Sequence, residues 1–256
     1  MSGLLSTHDG GASWHTQNFG SVPSVVVSGR YVLAAAVWCP ASDPCPGGRL
    51  WRSPVTSDNW TPAGVPGPIN NPRVYAQGST VWLVNIATAG VLSGPNAIFA
   101  STDAGASFQR VTDPCPNGIA QLAPVAVSYL FLDCGVITNE NTGVWRHNLF
   151  RSADGGHSWV SLGSDPVITA LASMSAPNPQ TVYLAEDPGD FVVSRDSGHT
   201  WATALHGSRV DAATGAQTGR TVSFVGFQDQ THGLALAGPT TWVTTDNGQH
   251  WSKGAF

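Results

Sequence analysis

Charge is what this sequence has least of. Only 11% of its 256 residues are Asp, Glu, Lys or Arg, under half the usual share for globular domains. Lys253 is the one lysine, and Glu140 and Glu186 are the only glutamates. A net charge of −5 without a cluster of cations excludes a nucleic-acid partner, because phosphate binding needs grouped Lys and Arg. Long apolar runs are missing too. The longest, Tyr31 to Trp38, has eight residues, where about 20 are needed for a helix to span a bilayer. No segment sustains a 3.6-residue apolar period with caps, so almost no helix is expected. The pairs C-x-x-C and H-x-x-x-H are both absent, so neither a metal nor a cofactor is expected. The chain opens Met1-Ser2-Gly3 directly into patterned sequence. Any targeting segment is therefore expected to have been removed or never to have been part of it.

What is abundant points one way. Hydrophobic residues make up 41%, enough for a core, with 29 Gly and 18 Pro for many turns. Ten tryptophans are more than an ordinary domain of this size uses. The tryptophans recur in a repeated segment with the pattern S/T-x-D-x-G-x-x-W/F. Its copies start at Thr7, Ser101, Ser152, Ser194 and Thr244. A sixth, Ser53 to Trp60, keeps the first Ser and last Trp but loses the Asp and Gly. With first residues at 7, 53, 101, 152, 194 and 244, the steps are 46, 48, 51, 42 and 50. Five good copies at a near-constant step do not arise by chance.

The pattern has the chemistry of a tight turn between strands. The carboxylates of Asp9, Asp103, Asp154, Asp196 and Asp246 can accept backbone N–H groups across their own turns. The Gly two residues on supplies a positive φ. The Ser or Thr hydroxyl can bond locally in the same way. The closing aromatics, Trp14, Trp60, Phe108, Trp159, Trp201 and Trp251, carry enough apolar area to fill a seam. Two positions before each turn sit Leu5, Trp51, Phe99, Phe150, Val192 and Trp242. Five of them directly follow another apolar residue (Leu4, Leu50, Ile98, Leu149 and Phe191), so these strands read as buried on both faces. Each interval also holds two further β-rich runs: 24–29 and 31–38, 73–78 and 80–87, 120–127 and 129–134, 167–173 and 181–185, 221–227 and 232–237. That makes four strands per repeat.

The turns resemble the Asp-box (BNR) repeats of bacterial sialidases, xyloglucan-cleaving glycoside hydrolases, sortilin-type receptors and photosystem II assembly-factor-like proteins. The resemblance implies an all-β propeller of four-stranded antiparallel blades across 1–256, with the boxes structural and remote from the ligand face. The expected pieces are a half-blade at 1–22 and blades at 23–61, 72–110, 119–162, 166–205 and 220–256. A half-blade plus five blades is either a ring that tolerates a two-stranded sixth blade or, the favoured expectation, a piece of a longer propeller of six to eight blades. Trp14 should pack as the other box tryptophans do. The exposed edge beside the half-blade invites self-association.

Cys39 and Cys45 bracket a Pro-rich loop, and Cys115 and Cys134 flank a hairpin. Local pairing, 39–45 and 115–134, is the simplest of the three possible connectivities. Disulfides would place the protein in an oxidising compartment, secreted or in the cell envelope. Function should lie at the end opposite the boxes. Candidates there are Arg73, Arg146, Glu186, Arg209, Arg220 and His232. The resemblance to sialidases does not extend to their catalytic set, since no Arg-Ile-Pro segment occurs. The expectation is a non-catalytic binding or scaffolding module with a glycan or protein ligand. The alternative is a glycoside hydrolase using two carboxylates from among Glu140, Asp187, Asp211 and Asp229, which would have to lie about 5 to 9.5 Å apart.

Overall fold

The computed structural model describes residues 3–37, 47–67, 69–86, 96–139, 144–187, 189–206, 209–210, 217–218 and 221–254. It contains 24 strands and, among the described residues, no helix. Contacts divide the chain into two compact units, residues 1–117 with 155–157, and residues 118–154 with 158–256.

The first unit opens with a two-stranded sheet, β1 (Leu4–Ser6) and β2 (His15–Gln17). Two four-stranded antiparallel sheets follow. One comprises β3 (Ser21–Ser28), β4 (Tyr31–Val37), β5 (Gly48–Pro54) and β6 (Thr61–Pro62). The other comprises β7 (Asn71–Gln77), β8 (Thr80–Ile86), β9 (Ala97–Ser101) and β10 (Gln109–Val111). Their strands alternate or run continuously apolar, and Leu33, Leu50, Val74, Leu83, Phe99 and Phe108 form one buried cluster between the two sheets. The innermost strands are tied by Ser24, whose Oγ donates to Val74 O and accepts from Val74 N, both at 3.0 Å.

The second unit holds three more such sheets. The first is β11 (Ile119–Pro124), β12 (Leu130–Asn139), β13 (Val144–Ser152) and β14 (Val160–Ser164). The second is β15 (Ala170–Asn178), β16 (Thr181–Asp187), β17 (Phe191–Ser194) and β18 (Ala202–Leu205). A small pair, β19 (Arg209–Val210) and β20 (Gln217–Thr218), lies in the chain between the second and third of these sheets. The third is β21 (Val222–Phe227), β22 (Gly233–Ala237), β23 (Thr240–Thr244) and β24 (Ser252–Lys253). Ser173 ties the inner strands here as Ser24 does above, accepting from Val225 N at 3.1 Å. Strands connected in sequence order within each sheet, five times over, are the blades of a β-propeller.

The boxes lie in the third-to-fourth strand turns and are wired alike. In the copy at Ser101, the Ser Oγ donates to Asp103 Oδ1 at 2.7 Å and accepts from Gly105 N at 2.8 Å. Asp103 also accepts the backbone N–H of Ser107 at 2.9 Å and its hydroxyl at 2.6 Å. The same bonds recur around Asp9, Asp154, Asp196 and Asp246, with Thr200 in place of the Ser at Asp196 and His250 at Asp246. Positive φ falls on two consecutive residues rather than on the Gly alone: Ala104 and Gly105, Ser197 and Gly198, Asn247 and Gly248. Each of these boxes is also anchored to the first-to-second strand turn of its own blade. Ala104 N–H donates to Ser79 O at 3.0 Å, Ser197 N–H to Gln180 O at 2.8 Å and Asn247 N–H to Thr231 O at 3.0 Å. Even the degenerate copy keeps this bond, from Val55 N–H to Arg30 O at 2.9 Å. Box turns and first-to-second strand turns therefore share one end of a blade. The second-to-third loops and the blade-to-blade connections share the other.

Within each unit, closing aromatics pack on the preceding blade. Trp251 meets Phe191 edge-on at 5.6 Å and Tyr183 at 6.2 Å, and Trp201 joins the cluster of Phe131 and Leu149. Trp60 meets Phe19 edge-on at 5.2 Å. Trp14 corrects the expectation: it is 58% exposed, and Leu5 in the same hairpin is 56% exposed. Its Nε1 donates to Gly11 O at 3.1 Å within its own turn, and the ring fills no seam. The half-blade is nonetheless docked on its other side. Phe19 stacks on Trp51 at 4.9 Å, and Asp58 of the degenerate box takes His8 Nε2 at 3.3 Å.

Cys115 and Cys134 are disulfide-bonded, as the local pairing expected. Cys39 and Cys45 lie outside the described residues. No helix is long and apolar enough to cross a membrane among the described residues.

Candidate functional site

Each unit carries one feature at the end of its blades opposite the boxes. The first is a cleft of about 360 Å³ in the first unit, lined by Asn18, Phe19, Ala36, Gly47, Gly48, Arg49 and Trp51. Ala36 lies near the end of the second strand of its blade and Gly48 begins the third, so the cleft opens where loops gather. Phe19 and Trp51 make its apolar wall. Arg49 is exposed, with its guanidinium carbon 6.0 Å from the Trp51 ring centre. Gly48 is required by close approach: a Cβ there would meet Pro72 Cδ at 2.6 Å and Asn70 O at 2.9 Å. No carboxylate lines the cleft among the described residues.

The second feature is a buried polar chain in the second unit. Asp133 of β12 is 1% exposed and His147 of β13 is 2% exposed. The strand register sets His147 opposite Gly135. His147 Nδ1 lies 2.8 Å from Asp133 Oδ2, and Nε2 lies 2.9 Å from the carbonyl oxygen of Thr169. A carbonyl can only accept, so Nε2 carries a proton. Asp133 in turn hydrogen-bonds Asp165, which follows β14 and whose Oδ1 accepts the Val167 N–H at 3.0 Å. Gly135 gives the imidazole its seat, since a Cβ there would fall 2.5 Å from His147 Cε1.

Electrostatics follow from this order. Burial, reinforced by the charge of Asp133, pushes the Asp165 carboxyl up to about 8, so it is a neutral acid donating to Asp133 at pH 7. Burial alone would lower the His147 pKa, but the hydrogen bond and charge of Asp133 outweigh it and hold the imidazole above its ordinary value. The chain thus runs from the Asp165 acid through Asp133 to the His147 imidazole and on to the Thr169 carbonyl. Asp133, His147 and Asp165 also offer three ligand-type atoms within 4.8 Å of one another. Both His147 nitrogens are already bonded, so a cation would have to break one of those bonds, whereas a proton satisfies the two carboxyls without doing so.

Glu186, at the end of β16, is 9% exposed, and burial followed by the charge of Asp190 raises its pKa. Its carboxylate rests on Gly189, where any Cβ would collide with it. Arg73 is half-buried on β7 and Arg146 exposed on β13. Asp187 is exposed and accepts the Thr221 hydroxyl at 3.3 Å. Arg209 begins β19. Glu140, Asp211 and Arg220 lie outside the described residues. Asp229 and His232 are placed otherwise than expected. They sit in the β21–β22 turn at the box end, where Asp229 accepts the backbone N–H groups of Thr231 and His232, both at 2.7 Å. A turn between first and second strands cannot reach the opposite end. Sequence reasoning missed Asp133, His147 and Asp165. A lone Asp inside the apolar strand Leu130-Phe131-Leu132-Asp133-Cys134 was the available signal, because an acid there must find a partner.

The chain is a β-propeller with box-type turns, and comparisons with solved structures place it among proteins of that fold. Photosystem II assembly factor YCF48 from Cyanidioschyzon merolae aligns over 98% of this chain and 78% of its own, at 18% identity and a TM-score of 0.58. An α-L-arabinanase from Penicillium chrysogenum, solved with arabinobiose, aligns over 91% and 80%, at 13% identity and 0.57. A polysaccharide lyase, an ulvan lyase bound to a sulfated glucuronate–rhamnose saccharide, aligns over 93% and 70%, at 11% identity and 0.54. These identities establish a shared fold and nothing finer. No protein-family model and no curated protein matches the sequence.

Proposed function

We propose that this chain is a non-catalytic binding module, a single exported propeller domain that holds a glycan or protein ligand at the end opposite its boxes. The observation that carries the reading is the separation of ligand surface from acid chemistry. The cleft with aromatic and cationic walls has no carboxylate among its described lining residues, and the carboxyls that do converge are buried. A glycosidase needs an acid and a base open to substrate on both sides of the scissile bond. Asp133 is 1% exposed and bonded to His147 and Asp165, so no substrate reaches it. Asp229 is held by its own turn at the box end. The Cys115–Cys134 disulfide supports an extracytoplasmic location.

The test is an array carrying glycans and peptides, probed with the purified chain, run beside a reducing-sugar release assay on the glycans that bind. Retention of a ligand without release supports the binding module. Sustained turnover of a bound glycan overturns it.

A further inference from the structure

Two arginines of β5 sit beside aromatic rings, and they are used differently. Arg52 lies flat on Tyr31, with its guanidinium carbon 3.3 Å from the ring centre, and its Nε donates to Ala104 O at 2.8 Å. It is committed to holding two blades together. Arg49 stands 6.0 Å from the Trp51 centre, is exposed, and has no ion pair or hydrogen bond among the described residues. A guanidinium with five donors, no acid beside it among the described residues and an open cleft in front is equipped to take a carboxylate in two parallel hydrogen bonds.

The rest of the cleft limits what carries that carboxylate. Phe19 and Trp51 are stacked with their planes within 15°, a rigid apolar wall that loses little entropy on binding. Ala36, Gly47 and Gly48 make a floor with almost no side chains. Asn18 is exposed at the rim and offers an amide to hydroxyl groups. Gly48 N–H is already donated to Ile69 O, so it is not free to help capture a peptide terminus. A flat apolar wall, a polar amide rim and a cation unpaired among the described residues suit a ring with C–H faces, hydroxyls and a single carboxylate. The volume of about 360 Å³ lies at the small-ligand end of binding sites.

We infer that the Phe19–Arg49–Trp51 cleft binds a uronic acid unit of an acidic saccharide, with Arg49 as the carboxylate anchor. This rests on the binding-module reading and names the ligand class for it. Isothermal titration of the full chain with oligogalacturonate and oligoglucuronate should show binding to at least one of them. The fully methyl-esterified oligomer should bind at least tenfold more weakly, and raised salt should weaken the acidic ligand but not the ester. Arg49→Gln should cost at least tenfold. Asn18→Asp, an exposed substitution that leaves the fold alone, should cost a similar factor by facing the ligand with a like charge. Unchanged melting temperatures for both variants exclude unfolding as the cause. Equal binding of acid and ester, or of parent and Arg49→Gln, overturns the inference. Failure of both oligomers while the array yields another ligand unaffected by Arg49→Gln also removes it and leaves the binding module standing. A chain that retains nothing on the array removes both.

Discussion

Replacing Asp165 with asparagine tests the buried chain directly, because an amide imitates the protonated acid and cannot ionise. In the folded protein burial and the Asp133 charge hold the Asp165 proton up to about 8, against an ordinary 3.8. Between those values the native state keeps a proton that the unfolded chain has released. Stability therefore falls as pH rises across that window and levels off above about 8. The loss is fully absent only below the ordinary carboxylate value. His147, also raised, acts in the same direction, its contribution being lost as pH rises through its folded value. At about 1.4 kcal/mol per pH unit, a window of about four units sets a ceiling near 6 kcal/mol for Asp165. Residual solvent contact and sharing of the proton with Asp133 bring the expected figure to about 3 kcal/mol. In the variant the new side-chain amide N–H donates to Asp133 and its carbonyl accepts from Val167. Parent and Asp165→Asn should thus agree within about 1 kcal/mol at about pH 5, and the variant should be the more stable by about 3 kcal/mol at about pH 9. Urea denaturation followed by tryptophan fluorescence, at unit steps across that pH range, measures both. Parallel profiles for the two proteins would refute the proton assignment.

Three further outcomes follow from the fold. Their hydrogen bonds, those to the residue four positions on foremost, hold Asp103 and Asp196 down to about 2, and Asp9 and Asp246 are lowered too. Depressed carboxylates stabilise above about pH 4 and lose that contribution as pH falls through about 2; Asp103→Asn should flatten the acid limb of the melting curve, and an unaltered limb would show the box bonds to be idle. Leu5, Trp14, Val25 and Val27 are 56%, 58%, 44% and 61% exposed along the first strands, so concentration-dependent dimers should appear by light scattering and Val27→Lys should abolish them; a parent that stays monomeric at high concentration ends the argument. Thiol titration of the unfolded, unreduced protein should find Cys115 and Cys134 unreactive, and reduction should lower stability by about 3 kcal/mol for a closed loop of this length; reactive thiols at these two positions would contradict an oxidised native state.

How far the sequence spoke depended on the range of the interactions involved. The box is a local object: Thr or Ser, Asp and Gly bond to one another within eight residues, so their order in the chain already states their geometry. The same holds for the strand pairs and for Cys115 with Cys134, whose hairpin brings them together. Even there, the second positive φ at Ala104, Ser197 and Asn247 escaped the pattern, since no residue type marks it. Face assignment was half local. Asp229 and His232 have the residue types of a ligand loop, but the end to which their turn returns is set by the pairing of β21 with β22 and not by the turn's own residues.

The site itself was decided by tertiary structure. Asp133 and His147 come from two strands, Asp165 and Thr169 from the connection that follows, and they meet only when that connection folds back over the blade. Burial then moves the proton, an effect with no counterpart in a one-dimensional pattern. Trp14 makes the converse point, for its sequence context matches that of Trp201 and Trp251, and it lies exposed because a seam needs two blades. Arg49 and Arg52, three residues apart on one strand, show how the distinction arises. Nothing in their order along the chain says that one is spent on Tyr31 and the other is unpaired among the described residues, since a side chain's role depends on which neighbour's surface lies within its reach.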